Sequence, residues 1–261
     1  ARPHRLQGEN RFYHITSRGD DRKRVYINDS DFKKFLEYTL RAKERFKFYL
    51  YAYVLMPNHY HLLIETLRPN LSRIMQYINT SYTTYYNIKR KRYGHLFQGR
   101  YKSIVADKDN YFQHLSRYMH LNPVRAKIVE RPEDYAWSSY NGYNSKNGDG
   151  YIDKDRIKDA LDMNEAEYRR FVSDGVETGE SNPFKEIYAG FILGNASFIK
   201  EKLRDSKAQL EGENISYNRA LTRYFSAEEI IDAVAERYGK SREELCDSKK
   251  RPMKEKRIAI Y

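Results

Sequence analysis

The sequence predicts an α+β fold, an antiparallel sheet with helices packed on one face, followed by a smaller all-α domain. Three observations carry this. Over the first 143 residues the hydrophobic period alternates between two and about 3.6 in the order strand, helix, strand, strand, helix, strand, helix, a split β-α-β pattern. Two β-rich runs meet across only Pro57-Asn58, which reads as a hairpin. Near the end of the chain two capping boxes flank Gly239, the mark of two short helices joined by a tight turn.

Arg11–Ser17 alternates and reads as a strand, ended by the turn-like Arg18-Gly19-Asp20-Asp21. Ser30 is placed to cap a helix running to about Phe46, with Phe32, Phe35, Leu36 and Leu40 at helical spacing. Tyr49–Met56 and His59–Thr66 are the hairpin strands. Leu71–Ile88 reads as a second helix, followed by the basic run Lys89-Arg90-Lys91-Arg92. Tyr101–Ala106 is a further strand. A helix from about Tyr111 to Leu121, started by Asp107 or Asp109, is stopped by Pro123. The first domain is therefore expected at 1–143. Residues 144–225 form a helical connector: the Gly/Asn-rich loop Asn144–Gly150, an acidic helical stretch, a break near Gly175–Asn182, a helix over Pro183–Arg204 and a linker over 205–225. The capping boxes Ser226-Ala-Glu-Glu229 and Ser241-Arg-Glu-Glu244 open the third segment, 226–261.

The charge is placed unevenly. Residues 1–130 hold 25 Lys/Arg against 11 Asp/Glu, and residues 131–261 hold 23 against 25. A basic domain attracts phosphate backbones and releases their counterions. Many of the 25 tyrosines sit beside Lys or Arg, a mixture that suits unstacked bases on the rings and phosphates on the cations. No apolar run approaches the ~20 residues of a membrane helix, and the polar, basic Ala1–Asn10 gives no leader pattern. The single cysteine, Cys246, excludes an internal disulfide and a cysteine metal site. The expected setting is a reducing cytoplasm, with no membrane partner.

The chemistry-bearing residues are few. His59 and His61 lie two apart in a strand, so both imidazoles leave the same face and can chelate a divalent metal. Alone, such a pair is more often two half-exposed strand histidines. Tyr118 lies on the predicted helix before Pro123, and Asn122 follows one turn later on the same face. In that arrangement Tyr118 is the candidate nucleophile and Asn122 a third, oxygen ligand. A phenol with an ordinary pKa of about 10 needs assistance to attack near neutrality. His114, one turn before Tyr118, is a candidate helper. His120, two positions past Tyr118, should face away.

Tyr51-Ala-Tyr-Val-Leu-Met-Pro-Asn-His-Tyr-His-Leu-Leu-Ile64 and Tyr118-Met-His-Leu-Asn-Pro-Val-Arg-Ala126 resemble the IS200-like single-tyrosine (HUH) transposases, most closely the REP-associated tyrosine transposase branch. Arg18-Gly-Asp-Asp-Arg22, Gly94-His-Leu-Phe-Gln-Gly-Arg-Tyr101 and Trp137-Ser-Ser-Tyr140 fit the same branch, so the resemblance spans about 8–143. It implies a ferredoxin-like catalytic domain, with His59 and His61 as metal ligands for Mg or Mn and Asn122 in the place of the third. It implies Tyr118 attacking single-stranded DNA at hairpin-forming repeats to give a 5′-phosphotyrosine intermediate, and pairing as a homodimer. Tyr60, between the histidines, departs from the usual aliphatic residue but points to the opposite face. The DNA contacts expected on this reading are Arg18, Lys89, Arg90, Lys91, Arg92, Arg100, Lys102 and Arg125. Residues 230–261 resemble the DNA-binding domain of the bacterial replication initiator DnaA, which implies a helix-turn-helix touching duplex DNA through Lys249, Lys250, Arg251 and Arg257. Together these features imply a cytoplasmic, nucleoid-associated bacterial protein. Two other readings compete: a non-catalytic, sequence-specific DNA-binding regulator on the same fold, and a metal hydrolase of another substrate. The second leaves the basic first domain unexplained.

Overall fold

The computed structural model describes residues 5–177 and 182–211. The expected helix-turn-helix segment 226–261, with Lys249, Lys250, Arg251 and Arg257, lies outside them. Five strands form one sheet in the order β2-β3-β1-β4-β5: β1 Arg11–Arg18, β2 Phe48–Met56, β3 His59–Thr66, β4 Lys102–Ala106 and β5 Ile192–Leu193. The α+β class and the antiparallel sheet are as expected through β4. The two-residue β5 adds a parallel edge to β4.

Three long helices join these strands: α1 Asp29–Phe46, α2 Leu71–Lys89 and α3 Lys108–His120. The sheet faces separate by residue parity. Tyr60 of β3 packs on Phe35 of α1 and donates to Asn79 of α2 at 2.7 Å. Phe12 of β1 and Tyr51 of β2 instead meet Phe112 of α3 edge-on. Helices α1 and α2 thus share one face, as expected, and α3 lies on the other. Buried aromatics fill both layers.

Helix α1 begins at Asp29, before Ser30, because the Asp31 carboxylate accepts from the Ile27 and Asn28 amides at 2.9 and 3.3 Å. That carboxylate is fully buried and also takes Lys89 at 2.9 Å and Arg90, tying the start of α1 to the end of α2. Burial opposes its charge, but the hydrogen bonds from Lys89, Ile27 and Arg90 win and hold its pKa below the ordinary value.

The outer edge of β2 is covered by the segment after α3. Val54 bridges Ser138, the Leu55 amide donates to the Trp137 carbonyl at 2.9 Å, and the Ser139 amide donates to the Tyr53 carbonyl at 3.0 Å. The Tyr53 amide donates to Ser139 Oγ, and the Leu50 amide to Asp153 Oδ2. Asp153, Tyr143 and Tyr135 donate to the carbonyls of Leu50, Tyr51 and Leu55. Trp137 stacks on Phe32 at 4.5 Å, which accounts for Trp137-Ser-Ser-Tyr140 as an edge cover.

Residues 144–209 belong to the same compact unit as 5–143. Its helices are α4 Asn122–Arg125, α5 Tyr140–Tyr143, α6 Lys154–Leu161, α7 Glu165–Glu177 and α8 Ala196–Glu211. The helix expected over Pro183–Arg204 is not continuous. A 3-10 turn occupies Pro183–Glu186, β5 follows, and α8 starts at Ala196. Ala189 and Gly190 adopt positive φ, 50° and 77°, which stops a helix there, and Asn195 Oδ1 accepts from the Phe198 amide to open the next. The expected linker from 205 is helical to Glu211. Gly175, where a break was expected, lies inside α7, and a Cβ there would stand 2.9 Å from Leu121 and 3.0 Å from Arg117.

Candidate active site

The register of three strands builds the site. In β3, His61 opposes Thr16 of β1 and Val54 of β2, and His59 opposes Arg18 and Met56. Both imidazoles leave the α3 face, as their spacing requires, with ring centroids 5.0 Å apart. His61 is buried and His59 half-buried. The turn fixes His59: its Nδ1 lies 2.6 Å from Asn58 Oδ1, and Asn58 Nδ2 donates to the Arg22 carbonyl. An amide oxygen only accepts, so the His59 proton sits on Nδ1 and the Nε2 lone pair is available.

His61 is fixed by a residue that sequence reasoning missed. His14 of β1, buried on the same face, places Nε2 2.9 Å from His61 Nδ1. Asn122 Nδ2 approaches His61 Nε2 at 3.4 Å. These contacts are satisfied together when His61 donates from Nδ1 to His14 and keeps its lone pair on Nε2. His14 then carries its proton on Nδ1, which is buried with no hydrogen-bond partner among the described residues. Burial holds His14 at about 3, and burial plus the Arg18 charge holds His59 at about 4. Burial, then His14 and His59, push His61 well below the ordinary imidazole value. All three rings are neutral at neutral pH, the state in which imidazole ligates a metal.

Tyr118 is half-exposed near the end of α3, and Asn122 begins α4 after Leu121. Arg125 stands over the Tyr118 ring, 3.9 Å from its centroid, and donates to the Tyr118 carbonyl. Phe184, from the 3-10 turn, meets Tyr118 edge-on at 5.0 Å and packs on His14 at 4.5 Å. Through Phe184 the tyrosine and the histidine group share one neighbour. His120 is fully buried the other way, bonded to Tyr168 at 2.6 Å and Ser139 at 2.9 Å. His114 is exposed, with Phe171 edge-on at 6.1 Å.

The donor set fits a divalent cation: two neutral imidazoles with Nε2 lone pairs and the side-chain amide of Asn122, whose oxygen takes the place of Nδ2 if the amide turns over. Among the described residues no group of three His, Cys, Asp or Glu side chains can hold a metal, and Asn122 is the side chain that stands against His61 Nε2.

The cations named from sequence divide into two groups. Arg18, Lys91, Arg100, Lys102 and Arg125 are exposed. Lys89 and Arg90 face Asp31, and Arg92 donates to the His95 carbonyl while lying over Tyr86 at 5.6 Å. No helix among the described residues is long and apolar enough to cross a membrane.

Residues 9–122 match the family described as Transposase IS200 like. The match contains His14, His59, His61 and Tyr118 and ends on Asn122. A search of curated proteins finds no match. Among solved structures, a REP-associated tyrosine transposase bound to a REP hairpin is 16% identical with a TM-score of 0.50, covering 59% of this chain and 90% of its own. At that identity it supports the fold alone. A Deinococcus radiodurans R1 protein provisionally described as a transposase is 14% identical over 52% of this chain and 98% of its own, with a TM-score of 0.33, too low to add to the argument. Over residues 9–122, less than half of its length, this chain is similar to the IS200-like transposases.

Proposed function

We propose that this protein cleaves and rejoins single-stranded DNA at hairpin-forming repetitive elements, with Tyr118 as the nucleophile. The observation that carries the reading is the convergence of His59 and His61, on β3, with Asn122, one turn beyond Tyr118. The Tyr118 phenol loses its proton to solvent and its oxygen bonds to the scissile phosphorus. The bond to the 3′ oxygen breaks, that oxygen takes up a proton, and the 5′ phosphate stays on Tyr118. Rejoining is the reverse, with a 3′-hydroxyl attacking the phosphotyrosine. Mg2+ or Mn2+, held by His59, His61 and Asn122, supplies positive charge to the phosphate when bound. Arg125, exposed beside the phenol, binds a phosphate oxygen next to the scissile one. His114 assists proton movement only if substrate draws it toward Tyr118.

Arg18, Lys91, Arg92, Arg100 and Lys102 track the backbone in this reading, and Lys89 and Arg90 add to the same field from their Asp31 anchor. Segment 226–261, expected from its sequence to be a helix-turn-helix, binds duplex DNA in this reading. The protein acts in the cytoplasm at the nucleoid, as a monomer or a pair.

The test is incubation of the full chain with Mg2+ or Mn2+ and a labelled single-stranded hairpin, followed by a denaturing gel. A covalent protein–DNA adduct that disappears in Tyr118→Phe is expected. No adduct on any hairpin substrate, or an adduct that survives Tyr118→Phe, defeats the assignment.

A further inference from the structure

The loop joining α2 to β4 carries Tyr93, which is 95% exposed and the only aromatic side chain among the strongly exposed large hydrophobics of the described residues. A lone exposed apolar group is ordinary. Three features set this one apart.

The loop is braced on both sides of Tyr93. The Arg92 amide donates to the Asn87 carbonyl at 3.0 Å, Asn87 Nδ2 donates to the Gly94 carbonyl at 2.8 Å, and Arg92 Nη2 reaches the His95 carbonyl at 3.2 Å. The tip itself turns through Lys91 and Gly94, with φ of 48° and 91°. The ring is thus presented to solvent from a fixed backbone.

The surroundings are cationic. Lys91 is exposed, and Arg92 precedes Tyr93 directly. Nearby Arg22, Lys23 and Arg24 are exposed, and the Arg24 carbonyl accepts from Tyr86 at 3.2 Å. That segment also carries two carboxylates, Asp20, 3.4 Å from His95, and Asp21, 3.5 Å from Lys23. Ile88, 74% exposed, adds apolar surface at the root of the loop.

The loop returns to the histidine end of the sheet. Leu96 accepts from the Asp20 amide at 2.9 Å, Gln98 donates to the Arg18 carbonyl at 2.8 Å, and Gly19 donates to the Asn58 carbonyl at 2.8 Å, one residue before His59.

We propose that Tyr93 is a stacking platform for one unpaired base of single-stranded DNA, with Lys91 and Arg92 on the adjoining phosphates. This deepens the reading of the domain as one that works on single-stranded DNA, and rests on it. A hydroxylated ring in water, among cations that outnumber the nearby carboxylates, is what a nucleobase recognises: the π face stacks and the phosphates find the cations.

Binding of the full chain to two labelled oligonucleotides tests this by fluorescence anisotropy, one a hairpin with a single-stranded extension and the other a blunt hairpin. Tyr93→Ala is expected to weaken binding to the extended hairpin about 5- to 100-fold, leave the blunt hairpin within twofold, and keep the salt dependence unchanged. Tyr93→Phe and Tyr93→Trp restore binding. Lys91→Ala lowers the slope of log affinity against log salt by about 0.7. 2-Aminopurine, moved one position at a time through the extension, is quenched at one position by the parent protein and not by Tyr93→Ala. The proposal is overturned by no binding to the extension, by Tyr93→Ala within twofold on both oligonucleotides, by equal loss on both, or by failure of Tyr93→Phe. A Tyr93→Ala change in oligomeric state without DNA overturns it in favour of contact with another protein chain. The covalent adduct is read separately. Absence of an adduct with Tyr93-dependent binding removes the nuclease reading and keeps the platform, and the opposite pattern removes the platform alone.

Discussion

His14 and His61 face each other across the β1–β3 pairing, with His14 Nε2 2.9 Å from His61 Nδ1. Together with Asn122 Nδ2, 3.4 Å from His61 Nε2, this contact fits the His61 tautomer that keeps the Nε2 lone pair. Partners of this kind commonly govern metal affinity. His14→Ala should weaken Mn2+ binding about 10- to 100-fold, read by the electron paramagnetic resonance of free Mn2+. His14→Gln, which can still accept from His61 Nδ1, should recover most of it. Equal affinity in all three proteins would show that His14 only fills space.

His59 is reached through the turn rather than through the core, so its loss should spare the fold. His59→Ala is expected to abolish adduct formation while hairpin affinity, measured by anisotropy, stays within about twofold. Parallel loss of binding would assign His59 a structural role.

Asp31 holds two cations on a carboxylate that water does not reach. Asp31→Asn leaves Lys89 and Arg90 without their counter-charge. Both are partly exposed, so water softens the effect, and a loss of about 2 to 4 kcal/mol is expected. Urea unfolding at pH 7 measures it, and a change below about 0.5 kcal/mol would contradict the role given to this cluster.

His120 sets an acid limit on stability. Burial holds its pKa at about 3, whereas an unfolded histidine titrates near 6.5. Between those values the unfolded chain binds the extra proton. Stability is therefore complete above about pH 6.5 and falls as pH drops toward about 3, with His120 alone removing on the order of 3 kcal/mol by pH 4. His14 and His61 act with the same sign. Urea midpoints should fall from pH 7 to pH 4.5, with a shallower fall in His120→Asn. A midpoint constant over that range would refute the argument.

Local periodicity made much of this legible. The hairpin turn, the spans of α2 and α3, and the shared face of His59 and His61 follow from spacing and from Pro57 and Pro123. His14 did not emerge, because a strand's own alternation does not say which strand lies beside it. Only the pairing of β1 with β3 brings His14 to His61. Phe184 was hidden for a different reason. It sits in a stretch whose apolar residues fit one long helix, and the positive φ at Ala189 and Gly190 that divides it is a conformational fact. The Asp31 anchor joins residues 58 and 59 positions apart, beyond any local pattern.

The cover on β2 has a consequence for assembly. The outward amides of Leu50, Tyr53 and Leu55 and the carbonyls of Leu50, Tyr51, Tyr53 and Leu55 are all engaged within the chain. A neighbouring molecule that tried to prolong the sheet there would find these groups taken and would first have to strip away Trp137–Ser139. Two copies cannot zip together along that margin. A pair formed along that margin would be made by side chains, and its strength would answer to surface substitutions rather than to strand propensity.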